Sequence, residues 1–299
     1  MHRTTAGRRP GFTLVELLVV IGIILVVAAL ALLLIPRFQD KQKASLGADK
    51  VQQHLLTAKM TALRDRRPSG IRLVVGADGY ARTLQYIQLP DDFKGGTLAP
   101  DPNNPNQVVI QDPTGVTDVT GGLAEQPLWP VQPGDYLFLN GGSTPYLITG
   151  VNAGNVLQVQ PSPWTNGVPP APTVNYSIAR SPRPMAGIED VQLPQDVVVD
   201  FTVYPLTGAP RSLMQPETRP DGSLAYDILF APDGSVLRRA GASGKIVLWI
   251  RDVSRDDAEP GHQTLITVFT RTGLIAAQLV DTGSPNPYSF TADPRASGL

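Results

Sequence analysis

Hydrophobic and polar positions change their rhythm along the chain, and each rhythm predicts a different element. From Leu17 to Ile35, 19 consecutive residues carry no charge and no strongly polar group. At ~1.5 Å per residue such a stretch spans about 30 Å, the thickness of a bilayer core. A secretory signal peptide has a shorter apolar stretch, about 7 to 15 residues, closed by a small-residue cleavage site. Here the stretch is too long, and no polar break with a small-x-small site follows it before Pro36 and Arg37, so the pattern predicts a transmembrane helix over residues 12–35. Next, Phe38, Ala44, Val51, Leu55, Ala58, Ala62 and Leu63 recur at intervals of three, four and seven among Lys, Gln, Asp and Arg. This predicts an amphipathic continuation over residues 36–67, ended by Pro68, Ser69 and Gly70. Pro36 is expected to kink or break the junction. A helix from Phe12 to Arg67 has 56 residues and a length of about 84 Å.

Beyond Gly70 the period shortens to two. Strands are predicted at Gly70–Val75, Tyr80–Gln88, Val197–Tyr204, Leu224–Ala231, Lys245–Ile250, Thr264–Arg271 and Leu274–Val280. Turn signals separate several of them: Ala77-Asp78-Gly79, Pro220-Asp221-Gly222, Pro232-Asp233-Gly234 and Arg271-Thr272-Gly273. A helix followed by strands argues for an α+β fold, with the long helix packed on an antiparallel β head made of residues 68–89 and 188–282. Between these halves, residues 90–187 hold 16 Pro and 12 Gly. Alternation persists at Asp135–Leu139, Tyr146–Val151, Val156–Gln160 and Val174–Ala179, which predicts an inserted small β-rich lobe. Residues 90–130 read as its least ordered part, with a plain loop at Asp101–Asn106, and residues 283–299 read as a flexible C-terminal tail. The lobe's aromatics, Trp129, Tyr136, Tyr146, Trp164 and Tyr176, either form a contact surface or make the lobe's own core.

Composition narrows the chemistry. The absence of cysteine excludes disulfides, zinc ribbons, thiol catalysis and iron–sulfur ligation. The three histidines, His2, His54 and His262, lie too far apart to suggest one site. The net charge of −1 averages over blocks of opposite sign. Residues 1–11 carry three arginines and no acid, and residues 37–67 carry eight basic and three acidic side chains. Residues 68–299 carry 14 basic and 22 acidic residues. An acidic head on a basic stem is a poor partner for nucleic acid, which is bound by neutralising phosphates. The basic helix face is open to two readings, a solvated surface or a contact with acidic patches of neighbouring subunits.

Enzymatic signatures are sparse. Gly241-Ala-Ser-Gly-Lys245 lacks the spacing of a phosphate loop and precedes a strand, so it reads as a hairpin turn. Asp252, Asp256, Asp257 and Glu259 are weak calcium candidates in a stretch that reads equally as a solvated loop. Apart from a Ser–Lys pair, which sequence leaves open, no catalytic constellation emerges. No cofactor is expected, and the chain is read as structural instead of enzymatic.

Glu16 is the exception to the apolar pattern, a carboxylate at the edge of the span. A charge inside a membrane is costly and by default functional, although at an edge it can also reach the headgroups. With Arg8, Arg9 and Pro10 before it, the run Gly11-Phe-Thr-Leu-Val-Glu16-Leu-Leu-Val-Val-Ile21 resembles the processing signal of type IV prepilins and type II secretion pseudopilins. The resemblance implies removal of a leader, residues 1–11, by a prepilin peptidase cutting between Gly11 and Phe12. It further implies N-methylation of Phe12 and a role for Glu16 in subunit assembly. After cleavage, Glu16 of one subunit is the natural partner for the charged α-amine of a neighbour's Phe12. Ile228–Gly234, Lys245–Ile250 and Val268–Ile275 resemble, more loosely, the head of GspH/FimT-type minor pseudopilins.

The basic residues flanking the span are nearly balanced, so orientation follows from the resemblance alone. It implies a single-pass bacterial inner-membrane protein with a cytoplasmic N-terminus and a periplasmic head. The expected function is a minor pseudopilin of a type II secretion pseudopilus, with other pilins or pseudopilins, the inner membrane and secreted protein substrates as partners. The alternatives are a minor type IV pilin serving adhesion, motility or DNA uptake, and a membrane-anchored periplasmic binding protein or enzyme.

Overall fold

A computed structural model describes residues 13–292 except 95, 102, 112–130, 153–154, 165–173, 206, 215, 220–221, 238–243, 255–262 and 282, and omits the side chains of 30–42. The first element is one helix, α1 (Leu14–Asp65), 52 residues long. Its hydrogen-bonded backbone passes Pro36 without the expected break. Arg66 ends it in the left-handed region at φ 52°, and Pro68 cannot donate to a further turn. The side chains of the apolar run are described only as far as Ala29. Among the described residues, no helix is long and apolar enough to cross a membrane.

After α1 come β1 (Ser69–Val75) and β2 (Tyr80–Gln88). Six lobe strands follow: β3 (Thr97–Pro100), β4 (Gln107–Gln111), β5 (Tyr136–Leu139), β6 (Tyr146–Asn152), β7 (Val156–Gln160) and β8 (Tyr176–Ala179). The chain then returns to the head through β9 (Arg183–Pro184), β10 (Val191–Gln192), β11 (Val197–Asp200), β12 (Glu217–Thr218), β13 (Leu224–Phe230), β14 (Lys245–Asp252), β15 (Thr264–Phe269) and β16 (Leu274–Leu279).

The head sheet runs β12-β13-β1-β2-β11-β14-β15-β16, entirely antiparallel, with β9 and β10 also pairing on β2. One face receives α1, whose Ala48, Val51, Leu55, Ala58 and Ala62 interdigitate with Ile71, Leu73, Ile228, Leu248, Ile266 and other sheet residues. Small alanines on the helix stripe let its backbone lie close. At Gly47 the approach is closest, where an added Cβ would sit 2.4 Å from Val197 Cγ1. Leu63, expected on the packed stripe, is instead 38% exposed.

The opposite face carries a smaller cluster of Val247, Trp249, Leu265 and Val280, covered by Tyr204 and Tyr288. The Tyr288 hydroxyl donates to the carbonyls of Pro210 (2.9 Å) or Arg211 (3.1 Å). Burial raises its pKa to about 12, against a smaller opposing effect of Arg211. Residues 283–292, expected as part of a flexible tail, thus pack on the sheet, with a 3-10 turn at Ser289–Ala292 and Thr291 fully buried. The remaining tail residues, 293–299, lie outside the described residues.

The lobe is a second antiparallel sheet in the order β3-β4-β7-β6-β5-β8. Its core unites Leu98, Val108, Ile110, Leu137, Ile148, Leu157, Val159 and Ile178 with Trp164 and Tyr176. The hairpin β3–β4 lies where the least ordered segment is expected. Alternation there is confined to strands of four and five residues, too short to stand out among prolines. Trp164 and Tyr176 are core residues, Tyr146 packs partly against them, and Tyr136 is exposed. Trp129 lies outside the described residues. The lobe leaves and rejoins the head side by side, since Ile87 and Gln88 of β2 pair with Pro184 and Arg183 of β9. Asp135, fully buried, fastens the joint by accepting from Ser181 N (2.7 Å), Gln132 N (2.9 Å) and Arg183 Nη2 (2.9 Å).

Candidate functional site

The N-terminus of α1 is built by a capping box. Thr13, extended at φ −78° and ψ 149°, precedes the first turn, and Glu16 stands three residues on. Glu16 N donates to Thr13 Oγ1 at 3.3 Å, while Glu16 Oε2 accepts from Thr13 N at 3.1 Å and Thr13 Oγ1 at 3.0 Å. The reciprocal bonds satisfy two backbone donors that a helix start leaves open. The carboxylate also sits favourably at the positive end of the helix dipole. Glu16 is thus held against its own helix start, at the entrance to an apolar stretch. Gly11 and Phe12, the expected cleavage and methylation positions, lie outside the described residues.

From Leu14 to Val27 the helix presents leucine, valine and isoleucine in every direction, each 45% or more exposed within the single chain. A helix apolar all round is suited to lipid or to other apolar helices. Further along, the outward side carries Leu46, Asp49, Gln53, Leu56, Met60 and Leu63, spaced by three and four. This narrow stripe lies away from the sheet and has the heptad spacing of a helix–helix seam.

Three of the helix's lysines reach toward the head, whereas Arg64 is exposed and pairs with Asp65. Lys50 Nζ donates to Gln192 O at 2.6 Å, and Lys59 Nζ to Thr272 O at 3.1 Å and Gly273 O at 2.9 Å. Lys43 lies 3.8 Å from Asp196. Three lysines of the helix therefore grip the chain's own head. For these three lysines the bonding is neither a solvated surface nor a contact with a neighbouring subunit, and the signal for it, carbonyls at strand ends, is invisible in a linear sequence. His54 completes the contact, its Nδ1 2.6 Å from the Tyr86 hydroxyl and the rings edge to face at 73°. Burial, and then the nearby Lys50, lower its pKa, which favours the neutral imidazole as acceptor for the tyrosine proton.

Of the calcium candidates, Asp252 is 3% exposed, with Oδ1 accepting from Ser254 N (2.9 Å) and Ser254 Oγ (2.6 Å). Asp256, Asp257 and Glu259 lie outside the described residues, as does Ser243 of the hairpin sequence. Among the described residues no three His, Asp or Glu side chains gather as a metal site. Lys245 Nζ donates to Thr291 O and Oγ1, at 3.2 and 2.6 Å, so it ties down the C-terminal segment.

A prokaryotic N-terminal methylation motif matches residues 7–32, which takes in Gly11, Phe12, Glu16 and most of the exposed apolar helix. Among curated proteins and among solved structures, nothing matches the chain. The motif supports a pilin-like or pseudopilin role. It implies processing by a prepilin peptidase, anchoring in a membrane and assembly with other pilins.

Proposed function

We propose that the chain is a structural, non-enzymatic minor pseudopilin, cut after Gly11, methylated on Phe12 and assembled into the periplasmic pseudopilus of a type II secretion system. In this reading it is held in the inner membrane by residues 12–35 until assembly. The observation that carries the proposal is a methylation motif running directly into an apolar helix whose other half is locked onto a β head. Lipid satisfies such a helix before assembly, and neighbouring apolar helices satisfy it afterwards. The lysine grip transmits any displacement of the helix to the head.

Glu16 supplies the register. In the single chain its carboxylate is occupied by Thr13. In the fibre it exchanges that partner for the methylated α-amine of a neighbour's Phe12, which stays charged. Removing one member of a buried ion pair costs about 3–5 kcal/mol, because the other charge is left unpaired. Subunits are thereby held to one axial stagger.

The test is the N-terminal sequence and intact mass of the chain from membranes, with and without a co-expressed prepilin peptidase. A chain beginning at N-methylated Phe12 only when the peptidase is present is the expected result. A chain that keeps Met1, or is cut beyond Ile35, would overturn the reading. Deletion in the host separates the two machines: loss of protein secretion with surface pili intact is expected, and loss of pili with secretion intact would assign the chain to a type IV pilus.

A further inference from the structure

We propose that the outer face of the lobe binds a neutral oligosaccharide. A cleft of about 520 Å³ lies there, and its walls carry Asn104, Asn106, Gln107, Gln158 and Gln160, with hydroxyls from Thr149 and Ser162 at the margins. Among the described residues, no ionisable side chain lines it. Strand alternation creates the face: Leu157 and Val159 of β7 enter the core, so Gln158 and Gln160 point the other way. Gln107 of β4 stands directly opposite Gln158.

The arrangement is held in place. Gln107 N donates to Asn104 O (3.0 Å), Val159 N to Asn106 O (2.9 Å) and Ser162 Oγ to Pro105 O (2.7 Å). On β6, Gly150 leaves room for the Gln158 side chain, since a Cβ there would lie 3.0 Å from Gln158 Oε1 and 3.3 Å from Cδ. The Gln158 carboxamide therefore lies across β6.

The chemistry of these groups selects the ligand. A carboxamide offers a donor pair and an acceptor side by side, which matches adjacent sugar hydroxyls, each both donor and acceptor. A charged ligand would be desolvated with no countercharge to meet it, and a nucleic acid would lack cations for its phosphates. A peptide would want an open strand edge for its backbone, but β4, β7 and β6 each have a neighbour on both sides. What the cleft presents is side-chain amides and hydroxyls, the recognition chemistry of a neutral sugar.

The experiment uses the full chain in a zwitterionic detergent without a sugar headgroup, titrated calorimetrically with chitotriose, maltotriose and, as the rival class, an uncharged tetrapeptide amide. Saturable binding of a trisaccharide is expected, with an affinity unchanged within about twofold between about 50 and 500 mM salt. Chitotriose alone binding would point to an acetamido glycan of the cell-wall kind, and maltotriose binding to a plain hexose polymer. Gln158→Leu should weaken binding about tenfold or more, and Gly150→Val should do the same by displacing the Gln158 side chain. Should Gly150→Val unfold the lobe, Gln160→Ala, on the exposed end of β7, provides the second reading. No trisaccharide binding at about 20 mM, binding of the peptide instead, or full affinity in Gln158→Leu and Gln160→Ala would each overturn the proposal.

Discussion

Replacing Gly47 with alanine sets two known effects against each other at the closest approach of helix to sheet. In a helix interior, Gly→Ala stabilises by about 0.5–1 kcal/mol through backbone entropy. At this position the new Cβ would meet Val197 Cγ1 at 2.4 Å, whereas carbon atoms in contact sit at about 3.5–4.0 Å. More than an ångström must be found. Val197 is 1% exposed, lies on β11 beside β14, and as a β-branched residue has little rotamer freedom with which to yield. Overpacking of this kind costs about 1–3 kcal/mol, so the net expectation is a loss of about 0.5–2 kcal/mol. Val197→Ala alone should cost about 2 kcal/mol through lost burial and a small cavity. In the double variant the alanine methyl occupies part of that cavity, so the two losses should fall short of their sum by about 1 kcal/mol or more. Urea-gradient pulse proteolysis of the full chain in detergent measures all four corners of the cycle. A Gly47→Ala chain that is more stable by the full helix increment, with effects that simply add, would refute the close-approach argument.

Three further perturbations test other joints. His54 has a pKa held below its ordinary 6.5 by burial and Lys50, so its protonation favours the unfolded chain. The stability it contributes is intact above pH ~6.5 and is lost as pH falls through the lowered folded value; His54→Gln should flatten the unfolding midpoint over that window. Tyr288, with its pKa raised to about 12, should ionise last in a tyrosinate absorbance titration, and Tyr288→Phe should cost about 1 kcal/mol by leaving the carbonyls of Pro210 and Arg211 without their donor. Asp135→Ala should destabilise by about 2–3 kcal/mol, less than a fully buried pair because Arg183 keeps partial solvent contact. Hydrogen exchange should then rise at Gln132 and Ser181, while exchange at unchanged rates there would contradict the fastening role.

Sequence reasoning located the head strands closely because β-rich apolar runs there are punctuated by Asp-Gly or Thr-Gly turns, as before Tyr80–Gln88. It overran β11, which ends at Asp200. There a buried carboxylate accepts from Arg251 Nε, Thr202 N and Thr202 Oγ1, and a linear pattern cannot reveal that arginine partner. It missed β3 and β4, whose pairing depends on distant β7 and on a bridge from Leu98 to Val174. Of the candidate site, Glu16 was legible from charge in an apolar run, and its partner Thr13 could have been read from the Thr-x-x-Glu spacing of a capping box. The inward-turned lysines could not, because Gln192, Thr272 and Gly273 are between 142 and 214 residues away.

The lobe's point of attachment has a consequence for how this protein can change over generations. Because departure and return are neighbouring rungs of one ladder, at Ile87–Pro184 and Gln88–Arg183, a short hairpin could replace most of what lies between them, provided that it keeps the Pro182 carbonyl, which accepts from the buried Arg72 of β1. The lobe also has a core of its own, separate from that of the head. Closing a longer loop between fixed ends adds only about 0.6 kcal/mol per doubling of its length. The scaffold can therefore carry, exchange or discard a payload of this size while the helix and the head sheet keep their mutual fit, and selection can act on cargo and chassis almost independently.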